Sequence, residues 1–317
     1  MELNIQLYKA DLPILLMLNL QLLFRMQEDS DKLLRQRYVL LKNLVEEICK
    51  VRTLTNQPFA VNFAIARHDG QYQELLEVAI EEKVPAISIT GANPQPIFER
   101  IKGENIRTLV LVAGARQAQK AEQLGADAVM AVGHEGGGHL GRDDIGTMVL
   151  TPRVVDSVSI PVLASGGIGD GRGLLAALAL GAEGIEMGTR FIATQECVHA
   201  NEKYKQAIVN AKESDTVIIK RTIGSPGRVL KSEFTLDIIE REKEGATYED
   251  LQDIISGKAN CRYIYDGNEA EGFGWAGQVI GLIKNIPTVQ ELFDEMILTA
   301  EKGLSRIGNI MGERTHR

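Results

Sequence analysis

"IPVLASGGIGDGRGLLAALALGAEGIEMGTRF", residues 160–191, holds one structural period and the start of the next. A proline leads into a short apolar run, "PVLAS", which ends in Gly166 and Gly167. "GRGLLAALALGA" follows, with apolar residues at three- and four-residue spacing, the mark of a helix. Gly181 closes that helix, and a second apolar run, "GIEMG", ends in another glycine turn. The order strand, glycine turn, helix, strand describes a βα repeat with parallel strands.

The same unit recurs toward the N-terminus. "PFAVNF" (58–63), "AISIT" (86–90), "TLVLV" (108–112) and "AVMAV" (128–132) read as strands, joining 161–165 and 184–188. "YQELLEVAIEEK" and "QAQKAEQLGA" read as helices between them. The short apolar strands are those of a sheet buried on both faces. A (β/α)8 barrel of the TIM type is the leading α/β architecture, and a doubly wound open sheet is the alternative. Periodicity does not separate them. Glycine turns after the last two strands favour the barrel, which commonly holds phosphate there.

Six strands are visible where a barrel needs eight, so the first two are expected within residues 1–55. That region reads otherwise. "LPILLMLNLQLLFRMQEDSDK" (12–32) is apolar, then abruptly charged. Its apolar run contains Asn19 and Gln21 and falls short of the about 18 residues a membrane span requires. No basic n-region or cleavage site marks a signal peptide. Residues 12–53 are expected to be mainly helical, with the first two strands absent or replaced by helix. The domain plan is an atypical segment over 1–44, a barrel over 45–199 and 276–317, and a lid-like insertion over 200–275.

The net charge of −8 argues against a nucleic-acid partner, which calls for a basic face. Three scattered cysteines, Cys49, Cys197 and Cys261, argue against a disulfide framework and for a reducing compartment. No metal-ligand spacing appears. A cytoplasmic protein without a membrane partner is the expectation.

The most specific stretch is "GHEGGGHLG", Gly133 to Gly141, directly after "AVMAV". Three consecutive glycines let backbone lie close to a planar ligand, and two histidines flank them. The start of the helix after "ASGGIGDG" reads as an anion site made of backbone N–H groups. With "EMGTRF" it suggests a phosphate cradle. The competing reading of both turns is packing alone.

Together, "GHEGGGHLGRDDIGTMVL", residues 160–191 and "GWAGQVIGLI" resemble the nitronate monooxygenase family, formerly 2-nitropropane dioxygenases. The same superfamily includes flavin-dependent enoyl-acyl-carrier-protein reductases. The resemblance covers about residues 45–317 and implies an FMN-binding (β/α)8 barrel. It implies that His139 is catalytic, as the base or orienting group for the proton next to the nitro carbon. It implies that Gly137 lies against FMN, with Asn62, Ser165, Gly166 and Gly167 also at the cofactor. Met187, Gly188 and Thr189 match the phosphate turn, and Gln278 a late motif that returns to the flavin. His134 is expected to be structural or at the rim. The partners implied are a nitronate or nitroalkane and O2, and a homodimer stays open.

There are departures from the pattern. Val132 and Glu186 stand where members often carry Gln. A carboxylate is unfavourable near a phosphate, so Glu186 is expected to point away or pair with Arg190 or Arg172. The family's glycine-rich segments around strands 1 and 2 have no counterpart in residues 1–44. A shifted reading frame over much of 12–42 is one account; a divergent helix is the other. Either thins one wall of the FMN site, and weak FMN affinity is the expectation. Three functions follow: oxidation of alkyl nitronates by O2 to a carbonyl compound and nitrite; NAD(P)H-dependent enoyl-thioester reduction; or an inactive barrel from a damaged gene.

Overall fold

The structure is a computed structural model that describes residues 16–18, 30–65 and 72–312, with side chains from residue 42 on. The strands are β1 (Leu16–Leu18), β2 (Phe59–Ile65), β3 (Ala86–Gly91), β4 (Arg107–Val112), β5 (Ala128–Val132), β6 (Gly138–His139), β7 (Val162–Ser165), β8 (Gly184–Glu186), β9 (Thr216–Ile219) and β10 (Gly227–Leu230). The helices are α1 (Ser30–Leu54), α2 (Tyr72–Glu81), α3 (Gln95–Arg100), α4 (Ala115–Leu124), α5 (Thr147–Val155), α6 (Gly171–Ala179), α7 (Thr189–Ile192), α8 (Glu202–Asn210), α9 (Glu233–Lys243), α10 (Tyr248–Leu251), α11 (Gly257–Ile264) and α12 (Val289–Gly312).

Among the described residues, seven parallel strands pair in the order β1-β2-β3-β4-β5-β7-β8. Helices intervene from β2 onward, giving the α/β fold of the TIM-barrel type. The six strands read from the sequence are all present, shifted by no more than a residue or two at their ends.

Residues alternate between two faces, as strand geometry requires. Val61, Phe63, Ile87, Ile89, Val110 and Val129 pack against Leu44, Ile48, Leu76, Ala118 and Leu150 of the helices. The intervening residues Ala60, Ala86, Leu109, Ala128, Met130 and Leu163 form a separate inner cluster. By the same alternation, Asn62, Ser88, Ser165 and Glu186 belong to the inner face, with Ser165 and Glu186 at the C-terminal ends of their strands. That end is where barrels carry their chemistry.

The opening segment corrects one expectation. Helix is found from Ser30 to Leu54, but Leu16–Leu18 form a strand, with Leu16 opposite Phe59 and Leu18 opposite Val61. The bare edge of β2 offers N–H and C=O groups that an extended apolar segment satisfies. One short strand thus stands where two were expected missing. The rest of 12–29, on which the shifted-frame reading mainly bears, lies outside the described residues.

A second sheet is antiparallel, in the order β6-β10-β9. It joins the His139 loop to the chain between 216 and 230, within the stretch expected to be a lid-like insertion. Val229, Ile219, Ile238, Leu251 and Phe273 form a small core beside it. Among the described residues, no helix is long and apolar enough to cross a membrane.

Candidate active site

The loop after β5 is fixed from several sides. Gly133 N–H donates to the Ser165 carbonyl at 2.9 Å, and Leu140 N–H to that of Pro226 at 2.9 Å. The buried Arg228 donates through Nε and an η nitrogen to the His134 carbonyl, at 3.2 and 3.0 Å. His134 Nδ1 approaches Asp144 Oδ1 to 3.1 Å, and Asp144 also pairs with Arg221 at 3.0 Å. His134 therefore braces the loop, in keeping with its expected structural role.

Glu135 is the loop's anchor. Its carboxylate accepts from Thr147 N–H at 2.8 Å and from Thr147 Oγ1 at 3.0 Å, capping the start of α5. Its carbonyl accepts from Gln278 N–H at 2.9 Å. Gly277 N–H donates to Thr189 Oγ1 at 3.0 Å. The histidine loop, the β8 turn and the 276–278 segment are thus tied together.

The glycines divide by what surrounds them. A Cβ on Gly137 would lie 2.6 Å from Gly277 N, and one on Gly166 would lie 2.9 Å from Gly133 O. Gly166 and Gly167 also hold φ of +90° and +76°. Packing and backbone conformation alone require glycine at these places. Gly138 and Gly188 differ, because a Cβ there would meet nothing within 4 Å. Both positions adjoin open space.

His139 is accessible to solvent, yet protein surrounds it on most sides. Lys220 and Trp275 flank the ring on its protein side. Its Nε2 lies 3.0 Å from Lys220 Nζ, and its ring centroid 5.1 Å from that of Trp275. Desolvation first, and then the Lys220 charge, push its pKa down to about 3. The exposure of the residue moderates that depression, but both causes act against the imidazolium.

Lys220 and Trp275 are functional candidates that sequence reading passed over. Lys220 is buried, its backbone is left-handed at φ +65°, and its ammonium lies 4.8 Å from the Trp275 ring centroid. Burial pushes its pKa down to about 8, while the Glu242 carboxylate pulls it up. An ammonium has only donors, so a charged Lys220 at this distance pairs with an unprotonated Nε2 of His139. A lone Trp and a Lys-Arg pair before "TIGSPG" were the only signals in the sequence.

At the β7–β8 end, Ser165 Oγ donates to Glu186 Oε2. Burial raises the Glu186 pKa, against the smaller effect of that hydrogen bond. The suggested arginine partners are engaged elsewhere. Arg190 donates to the carbonyls of Ala193 and Asn285, at 2.7 and 2.9 Å, and Arg172 pairs with Asp170. The proposed anion site at the start of α6 is also corrected. Asp170 Oδ1 accepts from Arg172 N–H at 2.9 Å and Gly173 N–H at 3.3 Å, so a carboxylate already occupies that helix end.

Asn62 lies on β2, away from this cluster, and its Oδ1 accepts from Ser88 Oγ at 2.8 Å. The Met187 side chain packs outward with Leu174, Phe191 and Met296, leaving its backbone toward the inner side. Gln278 is half-buried at the knot with Glu135. Among the described residues, no group of three His, Cys, Asp or Glu side chains forms a metal site.

The family model described as nitronate monooxygenase matches residues 64–299. A probable nitronate monooxygenase of Staphylococcus saprophyticus is 34% identical over 246 residues, covering 74% of this chain and 68% of its own. A Rhodococcus jostii protein named (3aS,4S,5R,7aS)-5-hydroxy-7a-methyl-1-oxo-octahydro-1H-indene-4-carboxyl-CoA dehydrogenase is 31% identical over 302 residues, covering 84% of each chain. The structure of FabK from Thermotoga maritima superposes with a TM-score of 0.79 at 35% identity, covering 85% of this chain and 84% of that one.

Proposed function

This chain belongs to the nitronate monooxygenase family, and from that premise we propose that it oxidises alkyl nitronates with O2, using FMN, to a carbonyl compound and nitrite. The broader class, a flavin-dependent oxidoreductase, is that of the family.

The residues fit a flavin at the phosphate end. Gly188 borders open space, and the Thr189 hydroxyl, which accepts from Gly277, retains its proton for another acceptor. Desolvation raises the Glu186 pKa, which favours the uncharged carboxyl and lessens its repulsion of a phosphate. In this reading Ser165, Gly166, Gly167, Met187, Gly188 and Thr189 hold that end. Asn62, Gly137 and Gln278 border the remainder, and residues 200–275 cover the mouth. When bound, FMN supplies the electron transfer that links nitronate and O2.

The observation that carries the reading is the state of His139. A neutral ring whose Nε2 accepts from Lys220 has Nδ1–H left to donate. A nitronate is anionic, and its oxygens accept hydrogen bonds. His139 orients that anion, and the Lys220 charge behind the ring favours its binding. Desolvation and the Lys220 charge weaken the ring as a base, which favours orientation over proton abstraction as its role.

The relative named as a CoA-ester dehydrogenase favours a second reading, NAD(P)H-dependent chemistry on an enoyl thioester. One comparison separates the two: nitrite release from propyl-2-nitronate at saturating FMN, against NADH consumption with a crotonyl thioester. An inactive barrel would do neither, and His139→Ala would change no turnover.

A further inference from the structure

We propose that Lys220 is a positioning residue for the reaction: held by Glu242, it fixes His139 in the tautomer that carries its proton on Nδ1. The proposal rests on the reading of His139 as the substrate-orienting group.

The geometry runs through three contacts. Lys220 N–H donates to Glu242 Oε2 at 2.8 Å, inside the fold. The other oxygen of that carboxylate accepts from Thr222 N–H at 3.1 Å and Thr222 Oγ1 at 2.8 Å. Glu242 therefore clamps the turn at 220–222. The third contact is Lys220 Nζ to His139 Nε2, at 3.0 Å. An ammonium has only donors, so this contact forces Nε2 to accept.

Two features distinguish Lys220 from a lysine that merely fills space. Its φ of +65° is a conformation that L side chains rarely adopt, and such strain persists where surrounding structure over-determines it. Its ammonium is also confined between the His139 ring and the Trp275 face, with 6% of the residue exposed. Burying an ammonium is costly unless it has partners, and an imidazole nitrogen and an aromatic face supply them. β10 pairs with β6 on one side and β9 on the other, Gly227 opposite both His139 and Ile219, and this brings together His139 and Lys220 from positions 81 residues apart.

The test is 15N NMR of the full chain labelled at its histidine rings, with His139→Ala used to assign the His139 signals. The wild type is expected to show Nε2 unprotonated and accepting, with the proton on Nδ1. In Lys220→Met the Nε2 signal is expected to move toward the protonated form. Lys220→Gly, the residue this φ favours, guards against a variant that fails to fold, and it is expected to show the same change. Lys220→Arg is expected to restore the accepting signal. In nitrite release from propyl-2-nitronate, Lys220→Met is expected to lose on the order of tenfold or more in kcat/KM. Lys220→Arg is expected to recover most of it. A His139 signal identical in wild type, Lys220→Met and Lys220→Gly would overturn the proposal, as would Nε2 protonated in the wild type. The ring signals need no turnover, so a wild type that releases no nitrite would overturn the nitronate reading alone.

Discussion

Ser165 and Glu186 stand opposite each other in the β7–β8 ladder, and the serine hydroxyl donates to the glutamate carboxyl. A protonated carboxyl presents the same mix of donor and acceptor as an amide. The raised pKa of Glu186 favours that protonated form.

The sign of the pH effect follows. The folded pKa of Glu186 is raised, so its contribution to stability is fully present below the ordinary glutamate value. It is lost as pH rises toward the folded value. Glu186→Gln is expected to flatten that part of the stability–pH curve, measured by urea unfolding across the range. FMN affinity is expected to fall at alkaline pH in the wild type and to hold in Glu186→Gln, since only the wild type gains a negative charge.

Gly137 and Gly188 are expected to fail in different ways. A Cβ at Gly137 meets Gly277 N at 2.6 Å and Ala276 C at 2.7 Å, both backbone. Gly137→Ala is therefore expected to destabilise by about 1–3 kcal/mol, the usual cost of overpacking. Gly188→Ala meets open space at an ordinary φ of −96° and is expected to change stability by less than about 0.5 kcal/mol. Its effect is expected in FMN affinity instead. Thermal unfolding and flavin titration of the two variants separate these outcomes.

Glu135 caps α5 and ties the histidine loop to Gln278 through its carbonyl. Glu135→Ala is expected to cost about 1–2 kcal/mol in urea unfolding, the range for a lost helix cap. Turnover is expected to fall as well, because the loop that carries His139 loses its anchor.

His139 is expected to stay neutral well below its ordinary value of 6.5. Its folded pKa is depressed, so its contribution is present above 6.5 and is lost as pH falls from there toward about 3. His139→Asn is expected to lessen that acid loss. The kcat/KM profile is expected to lack a histidine inflection near 6.5 and to show an alkaline limb near 8 as Lys220 loses its proton. That limb is expected to move upward in Lys220→Arg.

Local chemistry made much of this legible before any coordinates. The βα period placed six strands, because buried parallel strands are short apolar runs bounded by glycine and proline. His139 was visible because its glycines are contiguous with it. Lys220 and Trp275 were not, since a two-residue strand pairing brings them to the ring from distant positions. The α6 start looked like an anion site until Asp170 proved to cap it, although an Asp before a helix is itself a capping signal. Leu16–Leu18 read as part of a helical run because their pairing depends on the open edge of β2, not on their own pattern.

Nitrite release from propyl-2-nitronate, measured with and without added FMN in wild type and His139→Ala, tests the central claim most directly. Release is expected to rise with added FMN and to fall on the order of a hundredfold or more in the variant, the usual loss for a hydrogen-bond donor to the reacting anion. No nitrite at saturating FMN, or equal rates in the two proteins, would contradict it.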